Sequence, residues 1–275
     1  MNKSLFFFPI PEHTPFMDNI TPPFEPLIPK LILLCEEGGK LVLEFYKNAE
    51  ALEIIKKGDG SPVTNADHRS HQLLTQGLKN LTPGIPVISE EDEDSWGIKS
   101  SLYWLIDPLD GTKGFIHQDG QFCINVALME GHKPILGFIH IPLTNETFYG
   151  YKNKAWKHIS GKTIPIQTRN RPLEGSVLLL SNYDLKNKDK WEPYLKGTRL
   201  AKIEPLHSAI KFCRVAEGAA DIYFRFVPCK EWDTAAGQIL VEAAGGLMAT
   251  LDGLPFLYGK PDLKNEGFQV LGHKL

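Results

Sequence analysis

Apolar residues along the 275-residue chain change period several times, and each change predicts an element. From residue 30 to about 46, Leu31, Leu34, Cys35, Leu41, Val42 and Phe45 recur at helical spacing and predict an amphipathic helix packed on a core. The polar run Lys57-Gly58-Asp59-Gly60-Ser61-Pro62-Val63-Thr64 predicts a loop. Thr64 or Asn65 then caps a second helix, with Asp67 in its first turn and Leu73, Leu74 and Leu78 along one face. Short apolar runs at 86–89 and 102–106 predict buried strands. Alternating segments at 122–129 and 135–141 pair around Gly131-His132, and those at 147–151 and 155–159 pair about Asn153. This half predicts helices packed on an antiparallel sheet.

Beyond residue 176 the pattern alternates strand and helix: strand 176–180, helix 186–195, helix 208–217, strand 222–226, helix 232–244 stopped by Gly245-Gly246, and strand 267–271. The chain thus divides into an arm (1–29), an α+β half (30–175) and an α/β half (176–275). The arm carries Pro9, Pro11, Pro15, Pro22, Pro23, Pro26 and Pro29, a density that opposes helix and central strand and predicts extended chain. Leu5-Phe6-Phe7-Phe8 resembles the start of a signal peptide, but Pro9 and Pro11 interrupt it. Met17 stands as an alternative start.

Composition narrows the function. Hydrophobic content of 42%, charged content of 23% and a net charge of −3 fit a globular protein and give no electrostatic footprint for nucleic acid. No apolar stretch nears the roughly 18 residues of a membrane span. Cys35, Cys123, Cys213 and Cys229 form no Cys-x-x-Cys pair, which predicts reduced, packed thiols in a cytoplasmic protein.

Candidate chemistry gathers where elements end. Strand 102–106 runs into Asp107-Pro108-Leu109-Asp110-Gly111-Thr112, two carboxylates and a hydroxyl on a tight turn. A hard divalent cation wants such carboxylate and carbonyl oxygens, and N–H groups around Gly111 and Thr112 can cradle a phosphate oxygen. The same order of Pro, Asp and Gly also makes an ordinary β-turn. The acidic run 90–94 follows a strand in the same way and equally suits a solvated loop. Asp67 and Asp233 fall in first turns of helices, where acids favour the dipole. Aspartates three apart do not fit an Asp-x-Asp phosphotransferase. No EF-hand loop and no Gly-x-Ser-x-Gly elbow is present.

Together, Asp107-Pro-Leu-Asp-Gly-Thr112 and Trp232-Asp-Thr-Ala-Ala-Gly237 resemble the two signatures of the inositol monophosphatase superfamily. Ser89-Glu-Glu91 and the stretch from Asp59 to Asp67 stand in the expected upstream places. Thr112-Lys-Gly-Phe115, Lys211-Phe-Cys-Arg-Val-Ala-Glu-Gly218 and Tyr223-Phe-Arg225 are most similar to the 3'(2'),5'-bisphosphate nucleotidases of the CysQ type. The resemblance implies a layered α-β-α-β-α, sugar-phosphatase-like architecture with two sheets. It also implies hydrolysis of adenosine 3',5'-bisphosphate to AMP and phosphate, with two or three Mg²⁺ ions and inhibition by Li⁺.

The resemblance further implies that Glu90, Asp107 and the Leu109 carbonyl hold one cation, while Asp107, Asp110 and Asp233 hold another. Thr112, oriented by Asp67, would activate the attacking water, and Gly111 and Thr112 would bind the phosphate. Glu90, Leu109, Asp110, Ser208, Lys211 and Asp233 complete the substrate contacts. Two cations roughly 3.5–4 Å apart suit attack of water on an anionic ester, with no covalent intermediate. One region departs from the nucleotidase pattern: His207-Ser-Ala-Ile-Lys211 replaces Gly-Ser-Ser-Leu-Lys, with His207 expected to face solvent from a loop. Val227 and Cys229 alter the usual Gly-Pro-Thr before the last motif. Alternatives are an inositol monophosphatase, another small sugar-phosphate phosphatase, or an inactive metal- or phosphate-binding protein. The partner is a small phosphate ester, not nucleic acid. The chain is expected as monomer or homodimer, cytoplasmic or peripheral at the inner membrane face, without an integral membrane segment.

Overall fold

A computed structural model describes residues 24–58, 60–169, 174–195 and 199–272. Most of the proline-rich arm, Met17 and Asp59 lie outside the described residues. In chain order the first half contains α1 (Ile28–Lys47), β1 (Ile54–Lys56), β2 (Pro62–Thr64), α2 (Asn65–Leu81), β3 (Val87–Ser89), β4 (Leu102–Asp110), α3 (Thr112–Ile116), β5 (Cys123–Glu130), β6 (Lys133–Ile141), β7 (Glu146–Tyr151), β8 (Lys154–Ile159) and β9 (Lys162–Ile166). The second half contains β10 (Glu174–Leu180), α4 (Asn182–Leu185), α5 (Lys188–Trp191), β11 (Arg199–Pro205), α6 (Ile210–Ala216), β12 (Ile222–Arg225), β13 (Cys229–Lys230), α7 (Ala235–Ala243), β14 (Leu247–Thr250), β15 (Lys264–Asn265) and β16 (Phe268–Leu271).

Two sheets dominate. The first runs β3-β4-β5-β6-β7-β8-β9, antiparallel except for the parallel β3–β4 pair. The second runs β11-β10-β12-β16-β14, with β11, β10 and β12 parallel and the other pairs antiparallel. Strand alternation sorts side chains into separate cores. Trp104 and Ile106 of β4 join a cluster with Leu31, Leu34, Leu74 and Leu78 of α1 and α2. Tyr103 and Leu105 turn to the opposite face, where Phe212 of α6 and Leu240 of α7 fill the space between the sheets. Likewise Leu179 points to that middle core, while Leu178 and Leu180 meet Trp191 and Leu195 on the far side. The result is the expected α-β-α-β-α layering. At Gly137 of β6 a Cβ would lie 2.5 Å from Ile239 Cγ2 and 2.8 Å from Ala236 Cα, so α7 lies close against the first sheet there.

Several local expectations change. The stretch expected to stay extended through residue 29 is ordered from Phe24, which is buried, and Glu25–Leu27 form a 3₁₀ turn leading into α1. Pro29 sits in the first turn of α1, where no N–H is required of it. The expected loop at 57–64 is partly a hairpin, since β2 pairs antiparallel with β1. The expected helix 186–195 is instead α4, α5 and a 3₁₀ turn at Glu192–Leu195. Pro193, which has no N–H to donate, lies in that last turn. No helix among the described residues is long and apolar enough to cross a membrane.

Candidate active site

The turn after β4 is shaped by a bulge. Asp107 pairs with Asn125 and Asp110 with Cys123, so three residue steps on β4 match two on β5. In a regular strand, residues three apart face opposite sides. The extra residue brings both aspartates to the side of Asn125 and Cys123. Asp110 Oδ2 accepts from Asn125 Nδ2 at 3.4 Å, from Cys123 Sγ at 3.6 Å and from the Ala209 N–H. Asp107 Oδ1 accepts the Leu109 N–H at 3.0 Å, and Ser70 Oγ donates to the Pro108 carbonyl at 2.8 Å. Gly111 follows with φ 97°. A Cβ there would lie 2.6 Å from the Gln121 carbonyl, so the turn suits glycine on both counts.

Asp67 performs two tasks. Its Oδ2 accepts the Thr64 N–H at 2.8 Å and the Thr64 hydroxyl at 2.6 Å, closing a capping box at the start of α2. Its Oδ1 accepts the Thr112 hydroxyl at 3.0 Å. Thr112 Oγ1 also lies 3.2 Å from the Leu109 carbonyl, and its single proton serves one acceptor at a time. Burial raises the Asp67 pKa, opposed by the bonds from Thr64 and Thr112.

Glu90 arrives from the turn after β3, with its N–H on the Ile106 carbonyl at 3.2 Å. Asp233 arrives from a 3₁₀ turn, Glu231–Asp233, that precedes α7. The helix expected from residue 232 therefore starts at Ala235. Asp233 Oδ2 accepts the Lys230 N–H at 3.1 Å. One carboxylate oxygen from each of Glu90, Asp107 and Asp233 lies within 4.8 Å of the others. Burial, then the charges of Glu90, Asp110 and Asp233, drive the Asp107 pKa well above the carboxylate range. Burial and Asp110 push Asp233 up to about 7, with Arg225 pulling the other way. Burial also raises Asp110, against the Ala209 N–H and Lys211. Carboxylates crowded this closely fit an oxygen-liganded divalent cation, whose charge relieves the repulsion that raises these pKa values.

Lys57 of the β1–β2 hairpin is a neighbour the sequence did not reveal. Its ammonium lies 2.7 Å from Glu90 Oε1 and 2.8 Å from Glu91 Oε1. Burial and Glu90 push Glu91 up to about 7. Before the chain is folded, one lysine among 30 basic residues carries no mark of this contact.

The Ser208 and Lys211 region is adjacent through the Asp110–Ala209 bond. Ser208 takes a left-handed φ of 55° and leads into α6. Lys211 differs from a lysine reaching for substrate. It is 2% exposed, and its ammonium donates to the carbonyls of Leu206 at 3.1 Å and Ser208 at 2.7 Å. Burial and then Arg225 lower its pKa to about 8. It fixes the loop that presents Ser208. His207, expected to face solvent, is half-buried, and its N–H donates to Gln121 Oε1 at 2.8 Å.

The site is therefore assembled from the ends of β3 and β4, the N-termini of α2 and α6 and the turn before α7. Comparisons with known proteins fit that assembly. The inositol monophosphatase family model matches residues 25–270. The 3'(2'),5'-bisphosphate nucleotidase CysQ of Escherichia coli O157:H7 is 38% identical over 247 residues, covering 89% of this chain and 99% of its own. The structure of CysQ from Bacteroides thetaiotaomicron, described as a bacterial member of the inositol monophosphatase family, superposes with a TM-score of 0.77 at 29% identity, over 92% of this chain and 99% of that one. An inositol monophosphatase from Zymomonas mobilis shares the fold, with a TM-score of 0.73 at 24% identity, over 92% and 95% of the two chains. With both signatures meeting in one acidic cluster and the family model spanning nearly all the described residues, the chain belongs to the inositol monophosphatase family.

Proposed function

We propose that this protein is a Mg²⁺-dependent 3'(2'),5'-bisphosphate nucleotidase that hydrolyses adenosine 3',5'-bisphosphate to AMP and phosphate. The observation that carries the reading is the meeting of two constellations at one turn. The hydrogen-bonded Asp67–Thr112 pair stands on one side of Gly111, and the crowded carboxylates of Glu90, Asp107 and Asp233 gather about the strand that leads into it. The nucleotidase name of the Escherichia coli relative at 38% identity favours the bisphosphate over other esters.

Glu90, Asp107 and the Leu109 carbonyl would hold one cation, and Asp107, Asp110 and Asp233 a second. Such cations supply charge neutralisation at the ester and a lowered pKa for the attacking water. The chain's own groups do the rest. Asp67 draws the Thr112 hydroxyl proton toward Oδ1, leaving the oxygen of Thr112 basic toward a water on its other side. The raised Asp67 pKa suits it to share that proton. Ser208, held by the Lys211 clamp, faces the nucleotide part of the substrate, while Gly111 and Thr112 take the phosphate being cleaved. No side chain acts as nucleophile.

The test is a substrate panel with Mg²⁺, measuring phosphate release from adenosine 3',5'-bisphosphate, inositol 1-phosphate and fructose 1,6-bisphosphate. The expected result is the highest kcat/KM on the adenosine bisphosphate. A clear preference for inositol 1-phosphate overturns the substrate assignment, and trapping a phosphoenzyme overturns the direct attack of water.

A further inference from the structure

Glu90 and Asp233 come from different halves of the chain, and their charges repel. Something must hold their carboxylates together, and beside them stands an aromatic clamp that the proposed chemistry does not use. Trp96, in the 3₁₀ turn Glu93–Gly97, donates its indole N–H to the Ser89 carbonyl at 2.8 Å, one residue before Glu90. Its ring lies 5.2 Å from that of Trp232, one residue before Asp233. The Lys230 ammonium sits 4.8 Å from the Trp96 ring centre and 5.4 Å from that of Trp232. The same lysine gives its backbone N–H to Asp233 Oδ2 at 3.1 Å, and its ammonium is anchored by the Asp262 carbonyl at 2.9 Å. A second bond braces the turn from the other side, where the Ser95 hydroxyl accepts the Ser89 N–H at 3.1 Å. Trp232 is itself buried in the core between the sheets, so the clamp rests on a fixed wall.

We propose that Trp96 is a positioning residue that, through Lys230 and Trp232, fixes the spacing of Glu90 and Asp233 and so tunes the site to a small divalent cation. The tilted contact between the rings, at 42°, with a cation over both, resists the outward push of the two carboxylates. The inference rests on the reading of Glu90, Asp107 and Asp233 as cation ligands. It adds a consequence that this reading lacks. Mg²⁺ demands near-ideal octahedral geometry, whereas Ca²⁺ accepts a flexible shell. A loosened clamp therefore costs Mg²⁺ more than Ca²⁺.

Calorimetric titration of the full chain with Mg²⁺ alone and with Ca²⁺ alone tests this. Trp96→Leu is expected to weaken Mg²⁺ binding about tenfold, the scale of a lost outer contact, while Ca²⁺ binding changes by less than about threefold. Trp156, stacked on Tyr149 at 5.0 Å in the same sheet, is the control. Trp156→Leu is expected to alter neither affinity. If Trp96→Leu does not fold, Trp96→Phe, which keeps a ring over Lys230 and loses the indole N–H to Ser89, is expected to show the same order with a smaller loss, Mg²⁺ binding weakened by about threefold and Ca²⁺ binding unchanged. An equal loss for both cations, or no loss for either, overturns the proposal. Failure of the unsubstituted protein to bind either cation instead overturns the ligand reading itself.

Discussion

Replacing Asp233 by Asn should stabilise the protein while it destroys turnover, when cations are chelated at alkaline pH. Burial and the charge of Asp110 push the folded Asp233 carboxyl up to about 7, from an ordinary value of 3.8. Below pH ~4 both folded and unfolded chains hold the proton, so the substitution has little electrostatic effect. Between pH ~4 and ~7 the folded state keeps a proton that the unfolded state has released, so wild-type stability falls as pH rises. Above pH ~7 the cost is complete. At ~1.36 kcal/mol per pH unit, the gap amounts to about 4 kcal/mol. Asn carries no charge, and its amide oxygen can still accept the Lys230 N–H. Thermal unfolding in EDTA should therefore show the variant roughly 8 °C or more above wild type at pH 8, and level with it at pH 4. Saturating Mg²⁺ should narrow the difference, because wild type gains about 2.7 kcal/mol at 100 times its Kd. Turnover of the variant should fall by more than about 100-fold, beyond the loss expected of an outer-shell partner. If the variant is no more stable than wild type at pH 8 in EDTA, the electrostatic account of the cluster is wrong.

Thr112→Val removes the hydroxyl that Asp67 accepts, and kcat should fall by about 10²–10⁴ with an unchanged circular dichroism spectrum. Thr112→Ser, assayed alongside, should retain most of the rate. Gly111→Ala forces a Cβ into a left-handed turn 2.6 Å from the Gln121 carbonyl. It should cost about 1–3 kcal/mol by urea denaturation and lower kcat by displacing Thr112. Li⁺ added at fixed Mg²⁺ should reduce the steady-state rate, and paired assays with and without it check the expectation.

Elements with one strong period were legible in the sequence. Trp104 and Leu105 lie in an unbroken apolar run because β4 is covered on both faces, and α1 and α2 show their buried stripes plainly. Strands whose residues are mostly exposed left no such trace. Lys162–Ile166 is exposed or half-exposed throughout, and Arg199–Pro205 never becomes fully buried, so neither alternates apolar with polar in the usual way. Each is fixed by backbone pairing to one neighbour at a sheet edge. The same limit applies to side chains in the site. The aspartates announced themselves by motif, but Lys57 reaches Glu90 across 33 residues of separation and Trp96 reaches Trp232 across the two halves of the chain. Such contacts depend on topology that no local pattern encodes.

Acids at element ends pose a subtler problem, because capping and catalysis call for the same residue at the same place. A cap needs one carboxylate oxygen, and a carboxylate has two. Asp67 uses Oδ2 to close the first turn of α2 and keeps Oδ1 for Thr112. Asp233 gives Oδ2 to the Lys230 N–H and still brings an oxygen into the cluster with Glu90 and Asp107. Glu231 is the contrast. Fully buried, it accepts the Gly259 N–H with Oε2 and the Lys260 N–H with Oε1, so both oxygens are engaged by backbone. Asp67 thus turns one oxygen to the hydroxyl of Thr112 where Glu231 turns both to backbone, a difference set by the elements that meet around residues 107–112 and not by the local sequence of either acid.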